Sequence, residues 1–95
     1  MKCDDVYYWA PSGRSEIEVD FLLVRGANLI AVEAKSGNTF RDAWCKGLRA
    51  VAKLEGLKRR IVVYPDGPVM KTQDDIDAML FRRFADELAS DTLWR

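Results

Sequence analysis

Asp20, Glu33 and Lys35 are the residues whose types and spacing suit chemistry. Twelve residues separate the two acids, a single residue separates Glu33 from Lys35, and both stretches alternate oily and polar side chains. A strand repeats every two residues, so this alternation sorts the side chains onto two faces. Between Glu16 and Val24, the residues Ile17, Val19, Phe21 and Leu23 share one face, and Glu16, Glu18, Asp20 and Leu22 share the other. Between Leu29 and Lys35, Ile30, Val32 and Ala34 oppose Leu29, Ala31, Glu33 and Lys35 in the same way. A hairpin turning through Arg25-Gly26-Ala27-Asn28 sets Val24 opposite Leu29, Leu22 opposite Ala31, Asp20 opposite Glu33 and Glu18 opposite Lys35. All four charged groups then fall on one side of the hairpin.

Directly opposed side chains on neighbouring strands stand about 4.5–5.5 Å apart at Cβ, and like charges there are destabilising. Two carboxylates roughly 5 Å apart repel by about 3 kcal/mol at an effective dielectric of about 20. Something should offset that repulsion: Lys35 can do part of it by pairing with Glu18, or a divalent cation between Asp20 and Glu33 can do more. Mg2+, or Mn2+ in its place, fits such a pair, because a hard ion takes one or two carboxylates and keeps several waters. That arrangement suits phosphodiester hydrolysis: the ion polarises a phosphoryl oxygen and acidifies a bound water, while the Lys35 ammonium positions that water or stabilises charge developing on the phosphate.

Composition narrows the alternatives. The sequence has no histidine, and its two cysteines, Cys3 and Cys45, lie far apart. Zinc-finger spacing and a Ser-His or Cys-His nucleophile are therefore excluded, and any metal must be held by oxygen. Ninety-five residues are enough for one core but not for two, so residues 1–95 are expected to form a single domain. With 48% hydrophobic and 32% charged residues, the composition is that of a globular protein. No apolar run approaches the length of a membrane span, and the N-terminal MKCDDVYYWA has no secretory apolar core, so a soluble, cytoplasmic protein is expected.

Around the hairpin the pattern predicts the elements that must position these residues. Val6-Tyr7-Tyr8-Trp9 reads as a first strand, ended by the turn Ala10-Pro11-Ser12-Gly13. After Ser36-Gly37-Asn38-Thr39 the period changes, and Phe40, Trp44, Leu48, Val51 and Leu54 take helical spacing, which predicts a helix between Phe40 and Leu57 with Gly56 at its C-terminal end. Trp9 and Trp44 are expected in the core, Cys45 partly buried, and Trp94 at an interface or a frayed end. Arg60-Ile61-Val62-Val63-Tyr64 reads as a strand closed by Pro65-Asp66-Gly67-Pro68. Residues 74–89 fit either one amphipathic helix, or a short strand from Ile76 to Leu80 followed by a helix from Arg82 to Ala89.

Asp20, twelve residues, then Glu33-Ala34-Lys35 resembles the PD-(D/E)xK nuclease-like superfamily, in which an acid and an acid-x-lysine pair on adjacent strands surround a metal ion. A broader pattern runs through Val6-Tyr7-Tyr8-Trp9, Ser12-Gly13, Glu18-Val19-Asp20-Phe21, Ile30-Ala31-Val32-Glu33-Ala34-Lys35-Ser36, Gly47-Leu48 and Ile61-Val62-Val63-Tyr64. It is similar to the nuclease-like domain at the C-terminus of a class of bacterial and archaeal AAA-type ATPases, of which this chain would be a detached piece or a standalone relative. The resemblance implies an α/β (α+β) fold, a restriction-endonuclease-like mixed sheet in the order β-β-β-α-β-(β)-α without the usual first helix. It places Ile76 to Leu80 as the last strand, with a short helix from Arg82. By the same resemblance Asp20 and Glu33 are metal ligands, the Ala34 carbonyl adds a third oxygen, Lys35 is the catalytic lysine, and Glu18 is an accessory acid. Lack of the first helix would leave one sheet face open, which favours a homodimer or an associated ATPase domain.

Charge supplies the last expectation. Formal net charge is zero, yet residues 35–60 carry eight basic and two acidic side chains. Such an island permits one surface to meet phosphate. Lys46, Arg49 and Lys53, with Asp42, fall within about 60° on a helical wheel, and Lys58, Arg59 and Arg60 lie beyond; all six cations are candidate DNA contacts. Two functions follow: a magnesium-dependent DNA endonuclease, or a non-catalytic module that binds DNA or protein.

Overall fold

The computed structural model describes residues 5–9, 19–36, 39–67, 69–90 and 92–94, with side chains described from Phe21 onward. Glu18, Cys3, the turn at residues 10–13, and Gly37, Asn38 and Pro68 lie outside the described residues. The elements are β1 (Asp5–Trp9), β2 (Val19–Arg25), β3 (Asn28–Ala34), a 3-10 helix (Asp42–Cys45), α1 (Lys46–Ala50), β4 (Leu57–Tyr64), β5 (Met70–Lys71), β6 (Ile76–Leu80) and α2 (Phe81–Ala89). They build a six-stranded mixed sheet in the order β1-β2-β3-β4-β6-β5. β1, β2 and β3 are antiparallel, β3, β4 and β6 are parallel, and β5 returns antiparallel to β6. The class is α+β.

The β2–β3 hairpin has the register that alternation predicts, with Phe21 facing Val32, Leu22 facing Ala31, Val24 facing Leu29 and Arg25 facing Asn28. Its two-residue loop has a positive φ, 62°, at Gly26, the first central position, where a II′ turn calls for glycine. Antiparallel neighbours close in two residues, but the parallel step from β3 to β4 needs a crossover, and the chain from residue 35 to 56 supplies it.

That crossover is not the continuous helix expected between Phe40 and Leu57. A 3-10 turn leads into five α-helical residues, and residues 51–57 continue in tight turns, with Ala52 N–H donating to Arg49 O, Leu54 N–H to Val51 O and Leu57 N–H to Leu54 O. Apolar side chains three or four apart reach one side in 3-10 turns as well as in an α-helix, so the spacing alone cannot tell them apart. The packing face is the expected one: Leu48 and Val51 are buried, and Phe40, Trp44, Leu54 and Leu57 pack beside them.

Two apolar clusters sandwich the sheet. Under α1 lie Leu22, Ala31, Cys45, Leu48, Val51, Val62 and Ile76. On the other face Leu23, Ile30, Val32, Ile61, Val63, Met79 and Leu93 pack with Phe84 and Leu88 of α2, and with Phe21 and Trp94. Both faces of the central strands thus have a cover. Burying one leucine such as Leu48 stabilises by about 1.5–3 kcal/mol. β6 has the bounds read from the sequence, α2 begins one residue early at Phe81, and the two-residue β5 is an addition.

Candidate acid–lysine site

Strand alternation puts Glu33 on the α1 face with Ala31, two positions before Lys35. Its neighbour across the parallel pair is Val62, and β3 is extended past its end by Lys35 N–H donating to Val63 O at 2.8 Å. Glu33 is the buried charged side chain among the described residues, 4% exposed. Removing an ionised carboxylate from water is expensive unless a cation or hydrogen-bond donors meet it. Lys35 Nζ lies 2.8 Å from Glu33 Oε1, and the lysine side chain remains 34% exposed. One end of the pair is therefore anchored in protein and the other faces solvent.

β2 and β3 pair as far as Phe21 opposite Val32, one residue from Asp20 on one strand and from Glu33 on the other. The Asp20 side chain and Glu18 are outside the described residues. The Ala34 carbonyl belongs to the last residue of β3, between Glu33 and Lys35.

Tyr64 continues the α1 face on β4. Its ring centroid lies 5.6 Å from that of Trp44 and 6.4 Å from that of Phe40, and Phe40 and Trp44 meet edge to face at 5.9 Å. Burial, with a smaller contribution from Asp66, raises the Tyr64 phenol above its ordinary value. This aromatic wall closes the crossover over the same end of the sheet. Sequence reading missed it, although Phe40 and Trp44 were already legible as one helical face and Tyr64 as a strand end.

The six expected DNA-contact cations separate. Lys46, Lys53 and Lys58 are exposed. Arg49 is clamped: its Nη2 and Nη1 donate to the two Asp42 carboxylate oxygens at 2.7 and 2.8 Å, and its Nε donates to Asp74 Oδ2 at 2.9 Å. The hydrogen bonds from Arg49, and from Thr72 in the case of Asp74, hold both carboxyls below the usual carboxylate range. Arg59 and Arg60, adjacent in β4, take opposite faces. On the α1 side Arg60 donates to Leu48 O at 3.3 Å and to the Asp74 carbonyl. On the α2 side Arg59 holds Asp77 at 2.8 Å, and Glu87 and Leu93 O at 3.0 Å each. Asp42 stood on the predicted cationic face, so half of the Arg49 clamp was visible in the sequence; Asp74 comes from a distant turn and was not.

Fold and site together define an α+β domain with a mixed sheet and a buried acid, paired with a solvent-facing lysine, beside a hairpin. Residues 2–84 match the family described as Domain of unknown function (DUF4143), and the chain belongs to that family. The family is associated with the C-terminal regions of AAA-type ATPases. No match was found among curated proteins or among solved structures. Among the described residues, no helix is long and apolar enough to cross a membrane.

Proposed function

We propose that this domain hydrolyses phosphodiester bonds in DNA with magnesium, in the manner of a PD-(D/E)xK nuclease. The observation that carries this reading is a buried Glu33 whose carboxylate lies 2.8 Å from the Lys35 ammonium, on a strand that pairs with β2 as far as Phe21 opposite Val32. Carboxylate and carbonyl oxygens are the donor set a hard divalent ion prefers, so the residues fit Mg2+ or Mn2+. Asp20 and Glu33 would hold the ion, with the Ala34 carbonyl as a third oxygen and Glu18 as accessory. When bound, the ion polarises a phosphoryl oxygen and lowers the pKa of a coordinated water. Lys35, anchored through Glu33 but open to solvent, presents its ammonium to the phosphate and neutralises charge as it develops there. The aromatic wall of Phe40, Trp44 and Tyr64 stiffens the strand ends that carry these groups. A cytoplasmic setting, and a second copy or an ATPase module as partner, belong to the same proposal.

Duplex, single-stranded and branched DNA, incubated with the protein in magnesium or manganese beside Asp20→Asn and Lys35→Ala variants, test it. Metal-dependent cutting lost in both variants is the expected result. No cutting by the wild type on any substrate, with salt-sensitive binding intact, leaves the non-catalytic module. Independently, magnesium at tenfold excess over its Kd stabilises by about 1.4 kcal/mol, a thermal shift that Asp20→Asn removes.

A further inference from the structure

The basic island does not act as a unit. Its three distal arginines, Arg49, Arg59 and Arg60, spend their hydrogen bonds inside the molecule on Asp42, Asp74, Asp77, Glu87 and main-chain carbonyls. A guanidinium bonded in this way cannot grip a phosphate without giving up a charge-assisted partner. Among the described residues, four other cations of the island form no ion pair and are exposed: Arg41, Lys46, Lys53 and Lys58. Arg41 stands just before the 3-10 helix, Lys46 opens α1, Lys53 lies in the turns after it, and Lys58 is the second residue of β4.

We infer that the DNA backbone is met by Arg41, Lys46, Lys53 and Lys58, and that Arg49, Arg59 and Arg60 are structural. Because the crossover returns along the sheet, the line starts at the end where Lys35 lies and runs to the opposite end. Glu55 is the exposed carboxylate in the same stretch, and the Arg49 clamp adds Asp42 and Asp74 beside it. The inference rests on the DNA-binding half of the proposed function and not on its chemistry.

Binding of the full chain to a short duplex across a salt series tests it, with calcium in place of magnesium so that cutting does not interfere. Each neutralised phosphate contributes about −0.9 to the slope of log K against log salt, so four contacts give about −3.6. Lys46→Gln, Lys53→Gln, Lys58→Gln and Arg41→Gln each move the slope toward zero by about 0.9, and the fourfold variant abolishes most of it. Arg60→Gln, whose partners are carbonyls so that no carboxylate loses its cation, lowers the melting midpoint and leaves the slope unchanged at temperatures where it is folded. Asp42→Asn with Asp74→Asn frees Arg49 and steepens the slope by about 0.9. A fourfold variant with the wild-type slope, or an Arg60→Gln effect equal to that of Lys46→Gln, overturns the assignment. So does wild-type protein that ignores DNA but binds anionic vesicles through the same four residues. The magnesium thermal shift reads the acid–lysine site separately, and its loss leaves the cation assignment standing.

Discussion

Gly56 is where a single methyl group should do most damage. The residue has φ +86°, and a Cβ built on it lies 2.2 Å from the Ala27 carbonyl oxygen, a backbone atom of the β2–β3 turn. Its own carbonyl accepts the Leu29 N–H at 2.8 Å, so the turn after α1 and the hairpin turn are locked together there. Gly26 provides the control, since it has φ +62° but nothing within 4 Å of a built Cβ. A left-handed conformation costs a non-glycine residue about 1–2 kcal/mol, and that is the whole expected effect of Gly26→Ala. Gly56→Ala adds the displacement of backbone, about 1–3 kcal/mol more, as for overpacking in a core. For a domain of this size 1 kcal/mol moves Tm by about 4–8 °C. Gly26→Ala should therefore lower Tm by about 4–16 °C, and Gly56→Ala should lie about 4–24 °C below that in the same buffer. Urea titration of both variants gives the free energies directly. Equal losses at the two glycines would show that the turns do not touch, and the account of how β3 is seated against β4 would fail with them.

Two further outcomes follow from the ion pairs. Arg49 depresses the carboxyl pKa of Asp42 and Asp74 in the folded state, so their contribution is present above the unfolded value of 3.8 and is lost as pH falls through the lower folded values. A Tm series from pH 5 down to pH 2 should show wild type losing stability faster than Asp42→Asn/Asp74→Asn, and parallel curves would refute the clamp. Arg59→Met removes the group that joins β4 to Asp77 of β6, to Glu87 of α2 and to the Leu93 carbonyl, and should cost about 1–3 kcal/mol by urea titration. The figure falls below that of an isolated buried pair because Lys71 and Arg83 remain beside the two acids.

Legibility followed the range of the interactions. The hairpin register was readable because alternation and a two-residue Gly26-Ala27 loop leave one pairing that keeps both apolar faces intact, and a slip by one residue would turn Leu23 and Ile30 outward. The crossover was readable as a face but not as a shape, because 3-10 turns and α-helix share their three-to-four spacing from Phe40 to Leu57. Residues 76–89 were ambiguous by period alone; adjacency to β4 decides them, since Ile76 and Ala78 complete the cluster side opposite Arg60 and Val62. The partners of the arginines were least legible. Asp74 and Arg49 are 25 residues apart, and nothing local in either stretch announces the other.

The division of labour among the cations has a physical cause. β4 starts with Leu57-Lys58-Arg59-Arg60 and sits between β3 and β6, so its charged residues are carried toward covered faces of the sheet. An ammonium on a flexible stem reaches water from such a start, as Lys58 does, whereas the two guanidiniums farther in are largely buried and must be met by acceptors. Arginine suits that position because its fork satisfies several oxygens at once, and Arg59 uses it to join two acids and a carbonyl. The demand falls on Asp77, Glu87 and Asp74, so the acidic C-terminal third and the basic middle are complementary halves of one fold. Among the described residues, Arg49 and Arg59 of the basic middle are thus matched to acids of the C-terminal third, and under the proposed DNA contact the exposed Arg41, Lys46, Lys53 and Lys58 are what is left to meet phosphate.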